Sequence, residues 1–173
     1  MPNLAQALIA ELEREAASTR RVLERVPADQ LEFQPHPKSM KLGPLALHIA
    51  SLPAAFSRMG RLDSFDVATA KFSPPMPEGI DQILSTLEAS LADARAFLSE
   101  QDDASLAAPW RLMAGPNELF TVPRADLVRN LMFNHTYHHR GQLTVYLRLL
   151  EVSLPSVYGP SADENPFAAK MAA

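Results

Sequence analysis

Leu4, Leu8, Ile9, Leu12, Ala16, Leu23 and Val26 share one face at helical spacing, while Glu11, Glu13, Arg14 and Glu15 fall on the others. The chain is therefore expected to open with an amphipathic helix from about Asn3, a good N-cap, to Val26, where Pro27 stops it. A turn-rich run, QPHPKSM, precedes a second stripe at Leu45, Ile49, Leu52, Phe56 and Met59. Pro44 suits the first turn of that helix, Pro53 should kink it, and Gly60 should end it. A long proline-bearing connection, including KFSPPMPEG, leads to a third helix from about Glu78 to Glu100. Its seam of Ile80, Leu84, Leu87, Leu91, Ala94 and Leu98 alternates spacings of four and three, as in bundle packing. Gln101 to Thr121 has no helical period, and Trp110, Leu112, Leu119 and Phe120 fit either a short hairpin or an ordered loop. A fourth helix is expected from about Pro123 to Val152, followed by a tail, VYGPSADENPF, with turn chemistry only.

Long amphipathic helices without sustained strand-like alternation predict an all-α four-helix bundle, with residues 1–173 forming a single domain. The connections from about Pro27 to Gly43 and Arg61 to Pro77 are long enough for a crossover, so up-down-up-down order is not required. At 173 residues and 47% hydrophobic content the chain can bury a substantial core. A net charge of −4 gives no reason to expect nucleic acid or an anionic membrane as partner. The absence of cysteine excludes disulfides, thiolate metal sites and a sulfur nucleophile of the chain's own. No apolar run reaches spanning length and no signal peptide is visible, so a cytoplasmic protein is expected.

The chemistry concentrates in FNHTYHHRGQL, which carries three of the five histidines. On a wheel of about 100° per residue, Val128, Leu131, Met132, Tyr146, Leu149 and Leu150 lie within about 60° of His135. His139 lies about 40° to one side and His138 about 60° to the other. His135 and His139 are thus expected near the middle of the buried face and His138 at its rim, with Arg129, Asn130, Arg140, Thr144 and Arg148 opposite. Residues four apart bring Cβ atoms to about 5–6 Å, which lets two imidazoles chelate one ion. Two buried histidines that merely pack would each need hydrogen-bond partners, and both would have to stay neutral.

His48 is the candidate third ligand, on the apolar face of the second helix. Its rival, His36 in QPHPK, reads better as an exposed turn residue, and His138 as a rim residue near the site mouth. Gln142, about 20° from His135, could orient a ligand, contact substrate or satisfy a neighbouring helix. Gly141 is expected at a close helix contact, and Tyr137 in packing. Asp63, Asp66, Asp163 and Glu164 are loop carboxylates with no claim to be a general base.

HTYHHRGQL, together with His48 in LGPLALHIA, the longer run QPHPKSMKLGPLALHIA and the tail LPSVYGPSADE, resembles the DinB family, the DinB/YfiT-like metalloenzymes. The resemblance covers most of the chain. It implies an up-down-down-up bundle and one divalent ion held by His48, His135 and His139. It also implies activities such as those of relatives that use low-molecular-weight thiols, among them bacillithiol-dependent S-transferases and the mycothiol-dependent maleylpyruvate isomerase.

Three imidazoles leave a divalent ion (zinc, nickel, iron or manganese) an open position, as at catalytic sites. A thiol bound there would ionise, and water would have its pKa lowered toward about 7. With no cysteine in the chain, the thiol would be an external cofactor. The expected function is a metal-dependent transferase acting on a small-molecule substrate with such a thiol. A metal-dependent hydrolase and a non-catalytic bundle stapled by its ion are the alternatives. A homodimer is expected, because two-fold pairing is the commonest way for a bundle to bury a spare apolar face.

Overall fold

A computed structural model of the protein describes residues 3–70 and 74–168. The first helix, α1, spans Leu4–Leu23; Asn3 accepts from the Gln6 amide while the Gln6 side chain takes the Asn3 amide, a reciprocal cap. Helix α2 spans Leu42–Gly60, with Pro44 in its first turn, where no amide donor is needed. Pro53 sits inside α2 and breaks its hydrogen-bond ladder. The repair comes partly from outside: the Ala54 amide donates to Ser90 Oγ at 2.8 Å, and Ser57 Oγ donates to the Pro53 carbonyl at 2.7 Å. Helix α3 spans Ile80–Ser99. Residues 71–73 of the KFSPPMPEG connection lie outside the described residues.

Side-chain pairs fix the direction of each helix. Ala54 meets Ser90 and Arg61 meets Asp93 and Glu100, so α2 and α3 run parallel. Glu13 pairs with Arg95 and Arg20 with Glu88, so α1 and α3 are antiparallel. The last helical stretch runs parallel to α1, since Arg129 holds Glu11 and Arg140 holds Glu15. The order is up-down-down-up, with the 61–79 connection as the crossover. The buried seam contains Leu8, Leu12, Leu45, Ile49, Leu87, Leu91 and Leu98 from the predicted stripes of the first three helices, while in α3 Ile83, outside the predicted stripe, is buried and Ile80 and Leu84 are only partly so.

The segment without helical period forms more than a loop. A five-residue helix, α4 (Asp103–Ala107), is capped by Asp102 and leads into strands β2 (Pro109–Ala114) and β3 (Asn117–Pro123). To follow chain order, β1 is the short strand Ser64–Asp66 just after α2; it pairs parallel to β2, and β2 pairs antiparallel to β3. The hairpin turns through Gly115 at φ +58°, where an L side chain is disfavoured. The β2–β3 hairpin is one of the two forms expected for this segment; the added strand β1 was not expected, and the small sheet sits beside a mainly helical fold. Three residues (Ser64–Asp66) are too few to show a period of two, so β1 had no local signature. The sheet is anchored by the fully buried Trp110, whose indole nitrogen donates to the Met59 carbonyl at 3.1 Å.

The last helical stretch is not uniform. It comprises α5 (Arg124–Leu127), a π-helical segment (Val128–Asn134) and α6 (His135–Leu149). The His135 amide donates to the Asn130 carbonyl, five residues back. A π turn holds more residues than an α turn and so offsets the faces on either side of it. This corrects the uniform wheel. The buried residues of α6 include Thr136, Arg140, Leu143 and Leu147, which centre about 110° from His135. Leu149, placed on the inner face by the wheel, is 57% exposed, and Arg140, placed opposite, is 2% exposed.

Arg140 donates to the Glu15 carboxylate, Thr19 Oγ1 and the Tyr158 hydroxyl, tying α6 to α1 and to the C-terminal segment. Arg124, also buried, donates to the carbonyls of Gly60, Ser105 and Leu62 and to Asp63. It thereby caps the C-terminus of α2 and holds α4 and β1 beside it.

Two glycines are opposites in packing. A Cβ on Gly60 would lie 2.5 Å from Phe97 Cζ, whereas one on Gly141 would meet nothing within 4 Å. The expected close helix contact at Gly141 is therefore absent; the close approach is at Gly60. Gly60→Ala should destabilise the protein by about 1–3 kcal/mol through overpacking. Gly141→Ala should stabilise it by about 0.5–1 kcal/mol through helix propensity. Urea unfolding midpoints moving in opposite directions are the expected result.

Candidate metal centre

His48 projects from the middle of α2, and His135 and His139 from the first two turns of α6. Because α2 and α6 are antiparallel neighbours, with the Tyr146 hydroxyl on the Met40 carbonyl further along, the three imidazoles meet. Ring centroids lie 5.5 Å apart for His48 and His135, 4.7 Å for His48 and His139, and 4.6 Å for His135 and His139. One ligand-capable atom from each histidine lies within 4.8 Å of those of the other two. All three are half-buried. This follows from the rotation of α6: its two histidines lie at the edge of the core-facing side rather than at its centre, where they meet His48 of α2.

The electrostatics keep the three rings neutral. Burial lowers the His48 pKa to about 4, helped by the neighbouring His139 and His135. Burial also lowers His135, with smaller contributions from His139 and His138. His139 is lowered by burial despite its hydrogen bond to Gln142, which acts the other way. Neutral imidazoles are the form that binds a metal.

The Nε2 atoms of His135 and His139 lie 2.7 Å apart. Two lone pairs cannot face each other at that distance without a proton or a cation between them. Gln142 Oε1 lies 2.7 Å from His139 Nδ1. A proton on Nδ1, donated to this oxygen, leaves the Nε2 lone pair free to point into the site, as partners behind metal-ligating histidines commonly arrange. Gln142 itself is exposed rather than buried, and its contact is to the candidate ligand. The donor set fits a divalent ion. It offers three neutral nitrogens, and among the described residues no fourth ligand joins the cluster.

The other candidates separate from the triad. His36 is exposed, its Nδ1 accepting from the Lys38 amide within its own turn. His138 is exposed at the rim, its ring 5.0 Å from that of His139 but outside the cluster. The four loop carboxylates are engaged elsewhere: Asp63 with Arg124, Asp66 with the amides of Ala68 and Gly115, Asp163 with Arg148, and Glu164 with Arg21. Tyr137 packs, as expected, and also donates to Glu11 at 2.9 Å.

Beside His48 opens a cavity of about 620 Å³, the size of a small-molecule site. It runs along α2 past Ser51, Leu52, Ala55, Arg58 and Met59 to Leu62. Gln82 and Thr86 of α3 form part of the opposite wall. No carboxylate lines it among the described residues. The sequence reading missed this cavity: of the residues three, four and seven after His48, Leu52 belongs to the predicted apolar stripe, and Ser51 and Ala55 stand outside it. The one available signal was their continuity with a candidate ligand.

Comparison with known proteins agrees with this architecture. The profile of the DinB family matches residues 1–167. The uncharacterised protein YrdA of Bacillus subtilis (strain 168) is 25% identical over 153 residues, which cover 88% of this chain and 86% of that protein. The fold is similar to the crystal structure of a DinB-like protein from Bacillus cereus ATCC 10987, with a TM-score of 0.68 and 23% identity over 87% of this chain and 95% of that one. It is equally similar to the DinB-like protein YjoA from Bacillus subtilis, with a TM-score of 0.68 and 18% identity over 87% and 97% of the two chains.

The lowered histidine pKa values set a pH dependence for the metal-free protein. The unfolded chain takes up protons on these histidines near pH 6.5, while folded His48 resists protonation down to about pH 4. Stability is therefore full above about pH 6.5 and falls as the pH drops toward 4. His48→Gln should flatten that acid limb, as read from urea midpoints across the range in the presence of a chelator.

Proposed function

Since the chain belongs to the DinB family, we propose that it is a metal-dependent transferase that acts with a low-molecular-weight thiol, holding one divalent ion through His48, His135 and His139. One observation carries this reading: three imidazoles converge with no fourth protein ligand among the described residues, and one of them, His48, also lines a ligand-sized cavity. An ion with an open coordination position is the arrangement of a catalytic site rather than a structural one. Zinc, nickel, iron and manganese all suit histidine nitrogen, with availability deciding among them.

When bound, such an ion supplies Lewis acidity, which favours ionisation of a thiol or water near it. The chain's own contributions are distinct. His48, His135 and His139 provide the nitrogens, and Gln142 fixes the tautomer of His139. The apolar wall along α2 excludes water from one side of the site. The chain has no cysteine, so the nucleophilic sulfur comes from outside. The missing carboxylate at the cavity also favours this reading over a hydrolase, which would use a general base to handle the proton of water.

The partner class is a small molecule. We further propose a cytoplasmic homodimer with no nucleic-acid or membrane partner. Among the described residues no helix is long and apolar enough to cross a membrane. Val145 and Leu149, four residues apart on the outer side of α6, are 58% and 57% exposed and offer part of an apolar face for pairing. Light scattering should give twice the 19.0 kDa chain mass, and a value equal to one chain removes the dimer.

Alanine at His48, His135 or His139 should each cut the metal content of purified protein sharply, while His138→Ala should spare most of it. Gln142→Ala should weaken metal affinity about tenfold. Transfer to an electrophile should require an added small thiol, stop with a chelator and return with metal. Metal-dependent hydrolysis without thiol would replace the transferase with a hydrolase. A metal that raises the melting temperature while neither activity responds would make the ion a staple.

A further inference from the structure

We propose that the cavity beside the metal centre takes an elongated, mainly apolar molecule with a terminal carboxylate, which Arg58 binds at the end away from His48. The placement of a reacting group beside His48 rests on the transferase reading; the recognition of the carboxylate does not.

The inference starts from what Arg58 lacks. Eight arginines of the described residues hold carboxylates. Arg58 makes neither an ion pair nor a hydrogen bond among the described residues, although it lines the cavity. The ordinary reason for an arginine in the last turn of a helix is to satisfy its terminal carbonyls. That work is done by others in α2: Arg124 Nε donates to the Gly60 carbonyl, Trp110 Nε1 to Met59, and the Arg61 amide to Ser57. The neighbouring Arg61 is the one that ties α2 to α3, through Asp93 and Glu100. Arg58 is therefore an exposed cation at the edge of a largely apolar wall, and no contact among the described residues gives it a structural role.

The cavity selects the rest of the ligand. His48, then Ser51 and Leu52, then Ala55, then Arg58 line it at steps of three or four residues, so they form one stripe along α2, with Leu62 lining it just past the end of the helix. Ten residues of helix separate the backbones of His48 and Arg58 by about 15 Å. The wall between them is mainly apolar, and no carboxylate along it competes for the guanidinium. A compact anion would leave this wall uncovered, whereas a chain with its charge at one end covers it. A carboxylate suits the site better than a phosphate monoester. A single guanidinium matches one carboxylate in a two-pronged geometry. The negative end of the α2 dipole lies close by and disfavours a dianion.

The test is calorimetric titration of full-length protein with octanoate and with octanamide, its uncharged counterpart. Wild type, Arg58→Gln and Arg58→Lys are compared, each as purified and after metal removal with a chelator. Octanoate should bind wild type about tenfold or more tightly than octanamide, and Arg58→Gln should erase that preference. Arg58→Lys should keep only part of it, because an ammonium retains the charge but not the two-pronged contact. The preference should survive metal removal, which separates a carboxylate on Arg58 from one on the ion. Equal binding of the two probes, no octanoate binding, or octanoate binding that needs metal but ignores Arg58→Gln would each overturn the proposal. Octanoate recognition by Arg58 alongside a failed thiol-transfer assay would sink only the transferase reading. Thiol transfer with no Arg58-dependent binding would sink only this one.

Discussion

The guanidinium of Arg140 is buried between α1, α6 and the C-terminal segment, where Glu15, Thr19 and Tyr158 accept its protons and the Tyr137 and Tyr158 rings lie over it. A buried charge with this many partners has one acceptable position, because losing one side of such a pair costs about 3–5 kcal/mol. Arg140 therefore sets the rotation of α6 about its own axis. With that rotation fixed, His139, one residue earlier, must point about 100° away, toward α2. His135 follows one turn before it. The metal-ligand geometry is thus determined from the opposite face of the helix that carries it.

The π-helical segment plays a complementary part. The stretch before it, with Val128, Met132 and Phe133 buried, packs in the core on its own phase. The offset lets α6 begin at His135 with a different face inward. A uniform helix would have had to choose between burying Val128 and Met132 and presenting both histidines at the edge of the core. The same tension between packing and function recurs in α2. Pro53 breaks its ladder five residues after His48, and Ser90 of α3 takes over one of the amides that the ladder leaves free. Both helices that carry the triad are irregular beside it, and both irregularities are repaired locally.

Charge is also divided by position. The outer surfaces of α1 and α3 are laced by arginine–carboxylate pairs, and the loop carboxylates are consumed by Arg21, Arg124 and Arg148. What remains around the triad and its cavity is neutral imidazole, aliphatic wall and the one guanidinium of Arg58. Such an environment keeps histidines deprotonated without a metal and offers no carboxylate to compete for one.

The sequence by itself determined the helices and the candidate ligands. Stripes such as Leu84–Leu87–Leu91 and the Asn3 cap are local signals, written in residues three or four apart, and need no partner to be read. The His135–His139 pair is local in the same sense, as is the place of His48 on the apolar face of the second helix, and resemblance to a family added the up-down-down-up order. Tertiary structure decided the rest. The small sheet depends on pairing between Ser64–Asp66 and a strand more than forty residues later, which no local pattern encodes. The role of Arg140 was invisible because an arginine at a polar-looking position gains its burial only from Glu15, Thr19 and Tyr158, all distant in sequence. The close approach expected at Gly141 is found instead at Gly60, which also ends α2 as expected, because only the packing of Phe97 says which glycine is crowded. The wheel singled out two histidines that do come together with His48, while misplacing the core around them, since hydrophobic period reports which residues avoid water but not the backbone offset that a π turn introduces.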